Sequence, residues 1–206
     1  MAGRVFLALF ITLLAGYTMA IEEPAYRLIE KSEPFELRDY EPKIIAEVEV
    51  PGSMDKATSA GFRLLADYIF GNNSAPAGGN EKIEMTAPVG VEPRSEKISM
   101  TAPVSMERTG GQWRVWFVMP GRYTMDTIPR PNNPAVKLRE IPATTYAVIR
   151  FSGFTGEEKV AKKTAELVAW MKEKGLAPIG KPELARYNPP WTLPFLRRNE
   201  IMVPHE

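Results

Sequence analysis

Met85 and Met100 hold the same place in an octet that the chain spells twice, Lys-Ile-x-Met-Thr-Ala-Pro-Val at 82–89 and again at 97–104. A thioether beside Ala and Pro gives a small, polarisable surface that can face an apolar ligand or lend a soft donor to a metal. Other soft donors are scarce. The chain has no cysteine, which removes disulfides, thiolate metal sites, iron–sulfur clusters and cysteine nucleophiles. Its one histidine, His205, is the penultimate residue, where chain ends usually fray, so a solvated tail side chain is expected. Ser–His–Asp hydrolysis and His-rich metal sites therefore lack their central member. An enzyme would need carboxylate, Tyr or Lys chemistry, and no spacing points to it, so no enzymatic activity is expected. The remaining polar cluster, Arg197-Arg198-Asn199-Glu200, reads first as a buried Arg–Glu pair closing the last strand and second as a clamp for carboxylates.

These residues need elements to position them. Pro88 and Pro103 have no N–H to give a ladder, so each octet is expected to be a short strand at an edge, a bulge or a strand end. The two copies can pair as a hairpin about Glu92-Pro93-Arg94-Ser95, which accounts for the repeat without any ligand. A functional reading adds Met85 or Met100 to the lining of a cleft. Upstream, 35–40 and 43–50 read as strands, the second alternating with Ala46, Val48 and Val50 on one face. Ser53 then offers an N-cap to a helix whose apolar stripe is Met54, Ala57, Gly61, Phe62, Leu65 and Ile69, ending at Gly71. A shift of 101 residues lays Leu37-Arg38 on Leu138-Arg139, Ala46 on Ala147 and Gly52 on Gly153. A second helix follows, with Thr155 and Glu158 as a capping box, a stripe of Val160, Thr164, Leu167, Val168 and Met171, and Gly175 as its stop. Further strands are expected over 112–119, 183–187 and 200–203, the last two separated by Asn188-Pro189-Pro190-Trp191-Thr192-Leu193-Pro194; 121–134 reads as a surface loop. The fold class is α+β: duplicated strand–helix–strand halves, about 33–120 and 134–204, forming a curved antiparallel sheet or barrel flanked by two helices.

Composition bounds the partners. The formal charge is only +1 and no Lys/Arg block occurs, so neither nucleic acid nor an anionic membrane is expected as a partner. The chain opens with Arg4, an apolar run from Val5 to Ala15 and Thr18-Met19-Ala20, the layout of a secretory signal peptide over 1–20. Residues 21–206 are then expected to be exported, periplasmic in a bacterium and otherwise secreted, without membrane attachment after cleavage, and monomeric.

Taken together, the two octets, Val115-Trp116-Phe117-Val118-Met119-Pro120, Tyr187-Asn188-Pro189-Pro190 and Arg197-Arg198-Asn199-Glu200-Ile201 resemble the signatures of the SOUL haem-binding protein family, in its doubled-octet bacterial form. The resemblance covers about residues 24–204. It implies a single duplicated domain that binds haem or a related tetrapyrrole without turnover, in a shallow apolar cleft by the first helix with basic groups at its rim. On this chain the cofactor-binding residues would be Phe62, Arg63, Leu65, Ile69, Met85 and Met100, Arg63 meeting a propionate. Ligation by His does not carry over; Met, Tyr68, Tyr187 or no protein ligand remain for the iron, and haem is not expected to be needed for folding. The alternative is a binding module for another small hydrophobic ligand or a protein partner.

Overall fold

Alternation along the strands decides which face of the sheet meets the helices. The computed structural model describes residues 21–93 and 112–206. In chain order the elements are β1 (Tyr26–Ser32), β2 (Phe35–Tyr40), β3 (Lys43–Pro51), α1 (Met54–Ile69), β4 (Asn73–Ser74), β5 (Val89–Pro93), β6 (Gln112–Val118), β7 (Arg130–Pro131), β8 (Lys137–Ile141), β9 (Thr144–Phe151), α2 (Glu157–Glu173), β10 (Glu183–Arg186) and β11 (Asn199–Pro204). Nine strands form one curled antiparallel half-barrel in the order β1-β2-β9-β11-β10-β5-β6-β3-β8, and β4 pairs with β7 beside it. The fold is therefore α+β, with both helices on the outer face.

The order is symmetric about the β10–β5 junction. On one side lie β11, β9 and β2; on the other lie β6, β3 and β8, their counterparts in the two halves. Gly52 and Gly153, superposed by the shift of 101, both adopt positive φ at the turn that feeds a helix, a conformation that residues with a Cβ rarely take. Each helix covers its own half. Ala46, Val48, Val50, Val115 and Phe117 pack with Ala57, Leu65 and Ile69 of α1. Leu37, Ala147, Ile149, Leu184, Ile201 and Val203 pack with Val160, Leu167, Trp170 and Met171 of α2. At roughly 1.5–3 kcal/mol for each large apolar side chain fully buried, these two clusters supply the main driving force for the fold.

Several local expectations are corrected. The first octet is not a strand: only Val89, its last residue, belongs to β5, and β5 is a central strand between β10 and β6 rather than an edge. The rest of the octet is extended chain tied by Ile83 N–H to the Ile69 carbonyl, Ala87 N–H to the Glu22 carbonyl, and the Thr86 hydroxyl to the Val118 carbonyl. Glu92 and Pro93 continue β5 instead of turning; the second octet lies outside the described residues. Ser53 is the N-cap of α1 by position, but its side chain makes no capping bond. The N-cap of α2 is Gly156, not Thr155, and no side chain caps it. β1 joins the sheet edge although its sequence shows no clean alternation, because most of its side chains stay exposed on both faces. His205 is buried rather than frayed: β11 runs through the sheet interior, and His205 N–H bonds the Thr145 carbonyl beyond its end.

Candidate functional site

On α1 the stripe facing the sheet is Met54, Ala57, Gly61, Leu65, Tyr68 and Ile69. Leu65 and Ile69 are fully buried in the core, so they support the helix from beneath and do not form its outer surface. Phe62, placed in the stripe by sequence, sits at its flank, 37% exposed, with its ring edge-on to Phe117 at 5.2 Å between centroids. Arg63, about 100° further round the helix, is exposed on a shallow open surface shared with Pro51, Asp55, Lys56, Ser59 and Ala60. Neither Arg63 nor Lys56 forms an ion pair with a described residue. Phe70, the C-cap residue of α1, is also exposed. Met85 is half-buried against the α1 core cluster. Met100 lies outside the described residues; the chain leaves β5 at Pro93 and returns at Gln112, which pairs with Pro51 at the edge of this surface. Tyr68 is buried and donates its hydroxyl to the Pro129 carbonyl at 2.7 Å, which occupies the phenol.

The inner face of the half-barrel was not anticipated as a polar surface. Glu200, on β11, accepts two bonds from Arg38 (2.8 and 3.0 Å), one from Arg198 Nε (2.9 Å) and one from the Tyr187 hydroxyl (2.8 Å). Arg38 also reaches Glu36 and Tyr40, and Arg198 also holds Glu23. Burial alone would raise the Glu200 pKa; hydrogen bonds and charge from Arg38, then Arg198, outweigh it and hold it below the ordinary range. Sequence reasoning recognised an Arg–Glu pair here but drew it within 197–200. The main partner is Arg38, 162 residues away, brought alongside because β2 and β11 both flank β9. Arg197 lies outside this network and donates to the Thr192 and Pro190 carbonyls.

Beside the network lies a cleft lined by Tyr40, Lys43, Gly90, Trp116, Glu183 and Tyr187, with Pro24 and Pro88 at its mouth. The Lys43 ammonium stands 4.6 Å from the Tyr40 ring centroid and 5.4 Å from that of Tyr146, a cation–π arrangement. Tyr146 donates to Glu183 at 3.4 Å. Burial pushes the Glu183 carboxyl up to about 7, against the opposing pull of the Lys43 charge. Lys43 is lowered by burial and raised in part by Glu183. The cleft has about 10 Å³ of free space, roughly one water molecule, because the Trp116 ring lies directly over Gly90: a Cβ at Gly90 would fall 2.0 Å from it. In this form it is a packed interior and has no room for a planar macrocycle.

Among the described residues no group of His, Asp and Glu gathers as a metal site, and no helix is long and apolar enough to cross a membrane. Solved structures share the fold at low identity. The C-terminal domain of EcmrR matches with TM-score 0.56 and 14% identity, over 88% of this chain and 98% of that one. A hydrolase from Listeria innocua matches with TM-score 0.54 and 14% identity, over 86% and 94%. A hydrolase encoded by lin2189 from the same organism matches with TM-score 0.54 and 15% identity, over 84% and 91%. At such identities the likeness speaks for the fold alone. No curated protein matches this chain. The family profile described as SOUL heme-binding protein matches residues 21–204, most of the chain. With its doubled octet, symmetric half-barrel and Arg–Glu closure, the chain belongs to the SOUL haem-binding protein family.

Proposed function

We propose that the protein binds haem or a related tetrapyrrole, without turnover and without histidine ligation, on the outer surface of α1. The observation that carries this is the exposed Phe62 on α1 next to Arg63, which shares a shallow open surface with Lys56, neither cation forming an ion pair among the described residues. A tetrapyrrole needs broad apolar contact and positive groups for its propionates. Phe62 would lie against the macrocycle, Arg63 and Lys56 would meet carboxylates, and Met85 would border the site if the neighbouring chain shifts. Bound haem would supply an iron centre; this surface offers it no imidazole, since His205 sits buried at the far end of β11. Affinity would therefore rest on contact area and ion pairing. The inner cleft is too small to compete as the tetrapyrrole site.

The test is a titration of ferric haemin and of iron-free protoporphyrin into the 21–206 protein, followed by the Soret band and tryptophan quenching. Saturable binding of both at similar affinity is expected, weakened about five- to tenfold by Phe62→Ala. If neither saturates at micromolar concentration, the tetrapyrrole reading falls and the reading as a module for another small apolar ligand takes its place.

A further inference from the structure

The cleft on the inner face of the half-barrel contains a cation that is only loosely held. Among the described residues the Lys43 ammonium makes no hydrogen bond and no ion pair; its neighbours are the rings of Tyr40 and Tyr146, at 4.6 and 5.4 Å from their centroids. The two rings stand edge to face, 5.5 Å apart at 87°. Each is fixed through its hydroxyl: Arg38 donates to Tyr40 at 3.0 Å, and Tyr146 donates to Glu183 at 3.4 Å. Other acids of this face have their cations. Glu36 and Glu200 hold Arg38, Glu92 holds Arg114, and Glu47 holds Arg114 and Arg139. Glu183 has no cation within ion-pair distance among the described residues, and burial pushes its carboxyl up to about 7 although the Lys43 charge pulls the other way. Two fixed tyrosine faces beside a buried carboxylate are the parts of an ammonium cage, and the cation now in it does not reach the carboxylate.

We propose that Tyr40, Tyr146 and Glu183 form a binding site for a small, unbranched primary alkylammonium compound, and that Lys43 is the internal stand-in such a ligand displaces. The ring faces and the carboxylate call for positive charge. The free space beyond the lysine, about 10 Å³, excludes a bulky cation. A ligand must therefore fit the room that the Lys43 stem vacates, which selects an amine of about the length of a lysine side chain. Lys43 is the first residue of β3, directly after the Glu41-Pro42 turn, and is half-buried. Its ammonium can turn to solvent without breaking a hydrogen bond or ion pair to any described residue, and the ligand enters along the path it leaves. An untethered ammonium gains what Lys43 lacks, a charge-assisted hydrogen bond to Glu183 in addition to the two rings. While Lys43 competes for the cage, the apparent affinity of the parent protein is reduced by the fraction of molecules in which the cage is free. The site lies on the face of the sheet away from α1, so the inference stands apart from the tetrapyrrole reading.

Met202 lines the cleft, and its methyl resonance is a local reporter. The experiment titrates n-butylammonium chloride, and separately the neutral n-butanol, into the methionine-methyl-labelled 21–206 protein, which contains both helices and every strand described. Ionic strength is held constant, and the pH is 8, where Glu183 carries its charge. The expected result is a saturable shift of Met202 with n-butylammonium at about millimolar affinity, the range open to so small a ligand, and no saturable shift with n-butanol. Lys43→Ala removes the internal competitor and should tighten n-butylammonium binding at least about tenfold. Glu183→Gln removes the carboxylate and should weaken it at least about tenfold, with the cooperative thermal transition retained. Absence of a saturable shift in the parent protein overturns the proposal. So does an equal response to n-butanol, which would make the cleft a filler of apolar space, and so does unchanged affinity in Lys43→Ala. If Lys43→Ala does not melt cooperatively, the parent and Glu183→Gln decide the matter, equal affinity in the two overturning the assignment.

Discussion

Glu183 holds its proton at pH values where a carboxyl in water has lost it, because the half-barrel surrounds it and Lys43 only partly offsets the cost of its charge. Its folded-state pKa of about 7 lies above the ordinary 4.5. Between these values the folded chain binds more protons than the unfolded chain, so this group's stabilisation is complete below about pH 4.5 and is lost as pH rises through about 7. Lys43, Glu92, Arg114 and Tyr146 face it and set the size of the effect. Glu183→Gln keeps the bond to Tyr146 and removes the titration. Urea unfolding at pH 5, 6, 7 and 8 should therefore show a shallower decline with pH in the variant. Its gain relative to the parent should grow to as much as about 3 kcal/mol at pH 8. Equal slopes in the two proteins would mean that Glu183 is ionised throughout. Nothing in the sequence distinguished this glutamate from the solvated ones, since its surroundings come from β2, β3, β5 and β9.

Gly61 places α1 against β6. A Cβ there would stand 2.7 Å from Val115 Cβ and 2.8 Å from its Cγ2, and Val115 is fully buried in the sheet with nowhere to move. Gly61→Ala gains about 1 kcal/mol of helix propensity but overpacks the contact at a typical cost of 1–3 kcal/mol. A net loss of up to about 2 kcal/mol is expected, and adding Val115→Ala should cost less than the two single effects combined. Strict additivity by chemical denaturation would show that the helix rises freely. At this scale the sequence was most legible where periodicity was strong. Both helices, β2, β3 and β6 lie within a few residues of their expected places, because a stripe at helical spacing or an alternating strand records burial directly. The first octet misled because Ile, Thr and Val carry β-like composition without a ladder; its backbone bonds go instead to Glu22 and the end of α1, and its Thr86 hydroxyl to the end of β6. The candidate site was legible only in part. Phe62 and Arg63 reach the surface of α1, whereas Leu65 and Ile69 obey the same periodicity by facing the core. Sequence spacing alone does not separate a residue at the flank of a stripe from one at its centre.

Across the whole molecule the two halves are interlocked. β2 of the first half lies on β9 of the second, β8 of the second lies on β3 of the first, and β5 and β10 join the halves at the centre of the sheet. The Arg38–Glu200 pair crosses the same boundary, and leaving either buried charge without its partner costs roughly 3–5 kcal/mol. A half expressed alone would therefore expose three strand edges that are paired in the whole protein, and would leave a buried charge uncompensated. The fragments 21–120 and 121–206 should each lack a cooperative thermal transition by circular dichroism. Mixed at equal concentration, they should recover β-sheet signal and a single transition, as complementary pieces of one sheet. The intact chain should unfold in one step with coincident fluorescence and dichroism curves. Cooperative melting of either fragment alone would show that each half is a self-sufficient fold and that the crossed strands are only a late exchange between two domains. The interlocking makes the opposite claim: the pairing of β2 with β9 and of β8 with β3 is part of what lets either helix find a sheet to cover.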